Sequence, residues 1–368
     1  MENEKIRQIT EKSREVFQDC LLPNGCLVAA PSHMPYYPSQ SKSYLYCWPG
    51  RDLGYNVTGA LYLGIDVFED VLRWIWDRAE GYRDPLKREG IILRNYYPNG
   101  RVKGTEFQPD QTGTLLWAIY RYGEEKELSE VAREVVKKST RGLIDSWSGS
   151  CFREAAEDLW EERIAHPRFG NNLTYTLAAC ARGLRCSNEI FPNGEAIKVA
   201  EEMENLIKEE AYDEEAGYFL RRFGGNIPGD RNTDASMLGL IWPFEILEKD
   251  DERMKKTIEG IEKKITDEKG VYRYRFDEYE GEKEDGSLHY KQGAGAWPLL
   301  TFWMSIVQNR IGEREKAESY FWRVVDQLEE DNLIPEQTFS KDDSRVGVRP
   351  LLWSHMMFVH AAKELGYI

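Results

Sequence analysis

The stretch 113-GTLLWAIYRYGEEKELSEVAREVVKKS-139 holds two kinds of helix in tandem. Its first half carries a single charge, Arg121, among apolar and small residues, so a helix formed there is apolar all round. In its second half Leu128, Val131, Ala132, Val135 and Val136 recur at helical spacing, with Glu, Lys and Arg between them. A helix apolar on every side must be buried, whereas one with a single apolar stripe lies against a core and faces water. The glycine at 122-YG-123 marks the turn between them. The stretch therefore predicts a hairpin of one inner and one outer helix.

The same alternation runs through the whole chain. Uncharged segments begin near 55, 112, 172, 234, 293 and 350, at intervals of 57 to 62 residues: 55-YNVTGALYLG, 113-GTLLWAIYRY, 172-NLTYTLAACA, 235-ASMLGLIWPF, 294-AGAWPLLTFWMSI and 350-PLLWSHMMFVHAA. Amphipathic partners fall at about 66–80, 125–142, 194–210, 250–266 and 312–329, and an N-terminal helix at about 4–19 supplies the sixth. Six buried and six half-buried helices in alternation predict an all-α fold, an (α/α)6 barrel with an inner ring wrapped by an outer one. A stacked solenoid would expose its inner helices along a concave face, which suits segments this apolar poorly. No linker or composition break interrupts residues 1–368, which are expected to form one catalytic domain.

The totals narrow the function. Hydrophobic residues at 41% and aromatics at 12% supply a sizeable core rather than a disordered chain. A formal net charge of -15 argues against a nucleic-acid partner, which needs a basic face. The charged N-terminus MENEKIRQITEKSREVF has no apolar leader region and no apolar run is long enough for a membrane, so a cytoplasmic protein is expected. The six cysteines have no paired CxxC spacing and are expected to be free thiols. The histidines form no HExxH and the glycines of 224-GGNIPGD no GxGxxG, so neither a metal nor a nucleotide cofactor is expected.

In a barrel of this kind the connections leading into the inner helices gather at one mouth. They read 44-YLYCWPGRDLGY, 106-EFQPDQTG, 158-DLWEER, 229-GDRNTD, 272-YRYRFDEY and 334-IPEQTF. All six bring Arg, Asp, Glu or Gln, most beside an aromatic. Polar loops are ordinary one at a time; six on one rim describe a polar, aromatic cleft. A tryptophan face packs on the C–H face of a sugar ring while a neighbouring carboxyl moves protons. In 158-DLWEER-163, Trp160 stands between carboxylates in that way.

Two carboxyls flanking a glycosidic bond suffice for hydrolysis. Glu161 is the candidate acid, its pKa expected to be raised by burial beside Trp160 and by repulsion from Asp158 or Glu162. Glu336 is the candidate base and is expected to stay ionised. The two lie three repeats apart, on opposite sides of a sixfold ring. That predicts an inverting separation of roughly 6.5–9.5 Å with room for a water. Arg51 and Asp52 could clamp neighbouring hydroxyls of a terminal sugar or form a structural ion pair at a helix start. Arg273 could equally be a strand-edge charge, and Trp297 opens an inner helix as either core or sugar platform.

In their order and intervals, WPGRD, DLWEER, VYRYRFDEY and PEQTF resemble the glucoamylase family, glycoside hydrolase family 15, from about residue 40 to 364. The resemblance implies an (α/α)6 barrel and an inverting exo-acting α-glucoside hydrolase. Such an enzyme releases β-glucose from the non-reducing ends of maltodextrins, isomaltodextrins or trehalose. It implies Glu161 as general acid, Glu336 as base, and Arg51 and Asp52 as holders of the terminal glucose. Arg273, Trp48, Trp160, Trp297 and Glu162 fall among the substrate contacts. WPGRD departs from the family by one extra residue between tryptophan and arginine. The chain has no space for the N-terminal β-sandwich of prokaryotic relatives, which leaves one barrel face open to homo-oligomer formation, and no starch-binding module is visible. Soluble oligosaccharides are therefore the expected substrates. The rivals are a trehalase or isomaltodextran-type enzyme on the same scaffold, a non-catalytic glycan-binding barrel, and a sugar isomerase. Retention of both glutamates argues against the second, and the lack of mouth histidines against the third.

Overall fold

The computed structural model describes residues 2–31, 33, 42–83, 89–277, 279, 294–338 and 347–368. Eleven α-helices follow in order: α1 Glu2–Cys20, α2 Arg51–Tyr62, α3 Phe68–Arg78, α4 Pro109–Gly123, α5 Glu130–Ser146, α6 Thr174–Ile190, α7 Gly194–Glu210, α8 Glu252–Ile265, α9 Pro298–Arg310, α10 Arg314–Val325 and α11 Leu352–Glu364. Helices α2, α4, α6, α9 and α11 are the uncharged segments, and nearly every residue of α4, α9 and α11 is buried. The amphipathic α1, α3, α5, α7, α8 and α10 bury one stripe each, as Ile6, Ile9, Val16 and Phe17 of α1 show. Side-chain caps fix where outer helices begin: Ser129 accepts from the Ala132 N–H, Asn193 from Glu195 and Ala196, and Asp251 from Arg253.

The fourth inner segment departs from expectation. Instead of an α-helix, Ala235–Leu240 forms a single 3₁₀ stretch followed by buried turns. Gly239 and Pro243 interrupt it, since glycine weakens a helix and proline cannot donate to one. The ring still closes through packing neighbours: α2 touches α4, α4 touches α6, α6 and α9 flank the 3₁₀ stretch, α9 touches α11 and α11 returns to α2. Twelve helical segments thus form the (α/α)6 architecture.

Each inner segment sends one aromatic ring to the axis. Tyr55 of α2 lies 5.2–5.8 Å, centroid to centroid, from Trp117, Trp242, Trp303 and Trp353. Its hydroxyl pairs with that of Tyr175 at 3.1 Å. Three of these pairs are tilted and that with Trp353 is stacked, and aromatic pairs at such distances each add about 0.5–1.5 kcal/mol beyond their area. They floor the barrel and leave the polar connections to line one end. The aromatic load is thus shared between this floor and the cleft.

A four-stranded sheet lies at that end: β1 Leu93–Tyr96, β2 Val102–Phe107, β3 Ala156–Glu157 and β4 Ile164–Ala165. β3 and β4 pair antiparallel, Ala156 with Ala165 and Glu157 with Ile164, so that 158–163 becomes the tip of a hairpin. The six cysteines are buried and unpaired. Among the described residues no helix is long and apolar enough to cross a membrane.

Helices α4 and α6 touch backbone to backbone at two glycines. A Cβ on Gly113 would stand 2.4 Å from the Ala179 carbonyl oxygen, and one on Gly183 would stand 2.4 Å from that of Gly113. Alanine is intrinsically the better helix former by about 1 kcal/mol. Gly113→Ala is nevertheless expected to destabilise by about 1–3 kcal/mol through overpacking. A fall in Tm by calorimetry supports this close contact; an unchanged or higher Tm contradicts it.

Candidate active site

Neighbouring connections at the mouth are tied to one another all the way round. The Gly50 and Arg51 N–H groups donate to Gln111 Oε1 at 3.1 and 2.9 Å, joining the first connection to the second. Gln108 donates to the Asp158 carbonyl at 2.9 Å, joining the second to the third. Trp160 Nε1 donates to Asp234 at 3.1 Å, and the Ala235 N–H donates to the Arg273 carbonyl at 2.8 Å. Gly295 N–H donates to Gln337 Oε1 at 2.7 Å, and the Tyr44 hydroxyl donates to Glu336, closing the ring.

Within 158-DLWEER-163 successive side chains go to different places. Asp158 is buried; its Oδ1 accepts the N–H groups of Glu162 and Arg163, and Oδ2 pairs with Arg221. This side-chain turn holds Glu161 at φ +63°, a left-handed conformation uncommon for a non-glycine residue. Trp160 turns inward against Trp297, 5.9 Å between centroids, with the Arg273 guanidinium 5.4 Å from its ring. Glu161 points the other way. Its Oε1 accepts from Trp48 Nε1 at 2.7 Å and lies 3.5 Å from Arg51, while Oε2 lies 3.7 Å from Arg94. The surroundings expected for Glu161 are therefore corrected. Trp160 does not bury it, and the Asp158 charge is taken up by Arg221.

Arg51 is 4% exposed and spreads over three carboxylates: Asp52 at 3.3 Å, Asp110 at 3.6 Å and Glu161 at 3.5 Å. The extra residue of WPGRD has a packing role. A Cβ at Gly50 would stand 2.1 Å from the Gln111 carbonyl oxygen, so only glycine lets the chain lie close enough for both N–H groups to reach Gln111. Burial, opposed by Arg51, pushes Asp52 up to about 6 and Asp110 up to about 7.

Arg273 is 3% exposed. It grips Asp277 with two hydrogen bonds of 2.7 and 2.6 Å and reaches Glu162 at 2.8 Å. Its guanidinium sits 4.7 Å from the Tyr279 ring and 5.2 Å from that of Trp297. The Tyr44 and Tyr279 hydroxyls meet at 2.9 Å. Burial and the charge of Glu336 push the Tyr44 phenol well up, so it keeps its proton and donates to the carboxylate. Tyr44 also packs near Trp48, 6.4 Å between centroids, which links Glu336 through Tyr44 and Trp48 to Glu161. The nine candidate residues therefore share one mouth.

The expectation that Glu336 stays ionised is corrected. Its side chain is buried and touches a phenol rather than an arginine; burial pushes it up to about 7 despite the Tyr44 hydrogen bond and the field of Arg273. Asp110, expected at the mouth from the connection 106-EFQPDQTG, lies there, and Arg94, Tyr44, Tyr279 and Glu157, which were not singled out from sequence, belong to it as well. Arg94 sits in the strand 93-LRNY, outside the residues read as connections, and an arginine beside alternating residues could have flagged it. The acidic run 276-FDEYEGEKEDG-286 reads in sequence as a solvated loop over the mouth; only Phe276, Asp277 and Tyr279 of it are described, and the remainder lies outside the described residues, as does Phe339.

A ring of α-hairpins with paired carboxyls, buried arginines and tryptophans at one end is the architecture of a carbohydrate-active barrel. Residues 22–363 match the glycosyl hydrolases family 15, and the chain belongs to that family. It is 29% identical to an uncharacterized glycosyl hydrolase, MJ1610, of Methanocaldococcus jannaschii over 97% of this chain and 56% of that protein. It is 24% identical to a trehalase of Mycolicibacterium smegmatis over 92% and 52%, and 23% identical to an isomaltose glucohydrolase of Kribbella flavida over 99% and 94%. The chain thus spans about half the length of the first two. A solved glycosidase superposes with a TM-score of 0.79 at 22% identity, covering 100% of this chain and 98% of that one. A bacterial glucoamylase complexed with acarbose superposes at 0.77 and 18%, covering 98% and 55%.

The raised Glu336 pKa has a stability consequence. Folding favours the protonated carboxyl, so the native chain binds more protons than the unfolded one between the ordinary value of 4.5 and about 7. Stability falls as pH rises through that window, and the loss is complete above it. Glu336→Gln, which cannot ionise, is expected to melt a few degrees above the wild type at about pH 8, with the difference gone at about pH 4. Melting curves across pH check this; an equal or lower Tm for the variant at about pH 8 contradicts it.

Proposed function

We propose that residues 1–368 form an inverting, exo-acting α-glucoside hydrolase. It releases β-glucose from the non-reducing end of soluble oligosaccharides, with Glu161 as general acid and Glu336 as general base. The observation that carries the reading is the position of the two carboxyls. They lie in different connections of one mouth, joined through Trp48 and Tyr44, with the Arg51–Asp52 pair beside Glu161.

Arg51 and Asp52 offer a donor and an acceptor to neighbouring hydroxyls of the terminal glucose. Trp48, Trp160 and Trp297 supply flat apolar faces for the ring. Glu162, held by Arg273, faces the same space. In the reaction Glu161 gives its proton to the glycosidic oxygen as the C–O bond breaks. Glu336 takes a proton from the water that attacks the anomeric carbon from the opposite side, so the product has inverted configuration. A base raised to about 7 is matched to proton transfer near neutral pH. Tyr44 orients the carboxylate by donating to one of its oxygens. The relatives named for trehalose and isomaltose support a substrate of two glucose units.

Glu161→Gln is expected to lower kcat by roughly 10²–10⁴-fold while retaining ligand binding. NMR of the first product from an α-linked substrate is expected to show β-glucose. A variant that keeps most of its rate removes Glu161 from the acid role, and α-glucose as first product overturns inversion. The acidic limb of kcat/KM, set by the base that must be ionised, is expected near pH 7. A limb near pH 4.5, the ordinary glutamate value, contradicts Glu336 as a buried base.

A further inference from the structure

His355 is fully buried, and the chemistry described above does not use it. It sits in the first turn of α11, against the connection that carries Glu336. That connection runs beside the chain entering α11: the Glu336 N–H donates to the Val348 carbonyl at 2.8 Å, and the Leu351 N–H donates to the Ile334 carbonyl at 3.0 Å. The pairing stops there, because the Leu351 carbonyl already accepts the His355 N–H as α11 begins. The Ile334 N–H donates instead to His355 Nε2 at 2.9 Å. An imidazole thus stands where the next carbonyl of the pairing would be, two residues before Glu336.

These contacts fix which ring nitrogen carries the hydrogen. A backbone N–H can only donate, so Nε2 offers its lone pair. Nδ1, 2.9 Å from Ser13 Oγ on α1, then carries the hydrogen and donates to that buried hydroxyl. Burial and the charge of Lys12 push His355 down to about 3, so the ring is neutral wherever Glu336 titrates. The N-terminal helix, α11 and the Glu336 connection therefore meet at one ring. Packing alone does not call for an imidazole at this position; what a leucine would lack is an acceptor for the Ile334 N–H.

We propose that His355, held in its Nδ1–H tautomer by Ser13, is a positioning residue that sets the reach of Glu336 toward the attacking water. The inference rests on Glu336 being the base. In that reading the sugar is held by Arg51 and Asp52 on a different connection, so a displaced Glu336 weakens water activation without loosening the substrate. A misplacement of about 1 Å in a reacting group costs about a hundredfold in rate.

The test compares His355→Leu, His355→Gln and Glu336→Gln on α-glucosyl fluoride and on whichever of maltose, isomaltose and trehalose is cleaved. His355→Leu is expected to lower kcat about ten- to hundredfold, with KM changed less than about threefold. His355→Gln, whose amide oxygen can accept the Ile334 N–H, should recover part of that loss. Azide, a nucleophile that needs no general base, should raise the rate of His355→Leu on the fluoride, as it should for Glu336→Gln. If His355→Leu folds poorly, Ser13→Ala removes only the outer hydrogen bond and should show a smaller loss of the same kind. Nitrogen NMR of the wild type reads the ring directly: the imidazole signals absent from His355→Gln should show Nδ1 protonated and Nε2 bare. The positioning role is overturned by a wild-type kcat in His355→Leu, by a loss carried in KM or relieved by neither glutamine nor azide, or by a protonated Nε2; each of these leaves the catalytic reading standing. Full activity in Glu336→Gln overturns that reading, and this inference with it.

Discussion

Buried arginines shared among carboxylates hold the mouth of this barrel together. Removing a charge from water costs several kcal/mol unless partners replace the lost hydration. Arg51, Arg221 and Arg273 are each 4% exposed or less. Each meets carboxylates from more than one connection: Arg51 joins Asp52, Asp110 and Glu161, Arg221 joins Asp158, Glu162 and Asp234, and Arg273 joins Asp277 and Glu162. A misplaced loop would strand a buried charge, so these pairs enforce the relative positions of loops far apart in sequence. The barrel beneath, plugged by six aromatic residues, provides the rigid support on which they act.

The same pairing separates the two glutamates. Glu161 is set among an indole N–H and two arginines, on a turn whose backbone is held left-handed by Asp158. Glu336 has a phenol for its nearest partner and an oxygen with no hydrogen bond inside the protein. Its elevated pKa follows from that isolation. A group buried at the expense of stability near neutral pH is the kind of local cost that functional sites carry.

Much of this could be read from the sequence, because the information was periodic. Alternating uncharged and amphipathic segments such as 113–122 and 128–136 are enough to order the helices and to say which end of the barrel is polar. The fourth inner segment was misread since its composition is apolar like the others, while Gly239 and Pro243 act locally against the α-helix. The directions of side chains in DLWEER were not legible either. They depend on the Asp158 turn, which sends Trp160 to Asp234 and Glu161 to Trp48. Arg94 was missed for a related reason: its partners lie on β2 and β3, and only strand register brings residues 94, 106 and 157 to one face. The departure in WPGRD, by contrast, has a simple cause in the packing of Gly50 on Gln111.

The central claim is that a single glucosidic bond fits between Glu161 and Glu336 with space for one water. A crystal structure with a non-hydrolysable disaccharide analogue bound tests it most directly. The account predicts one pyranose ring held by Arg51 and Asp52, with the two carboxyls on opposite faces and roughly 6.5–9.5 Å apart. Carboxyls about 5–5.5 Å apart, or a sugar bound where only one of them reaches it, would contradict it.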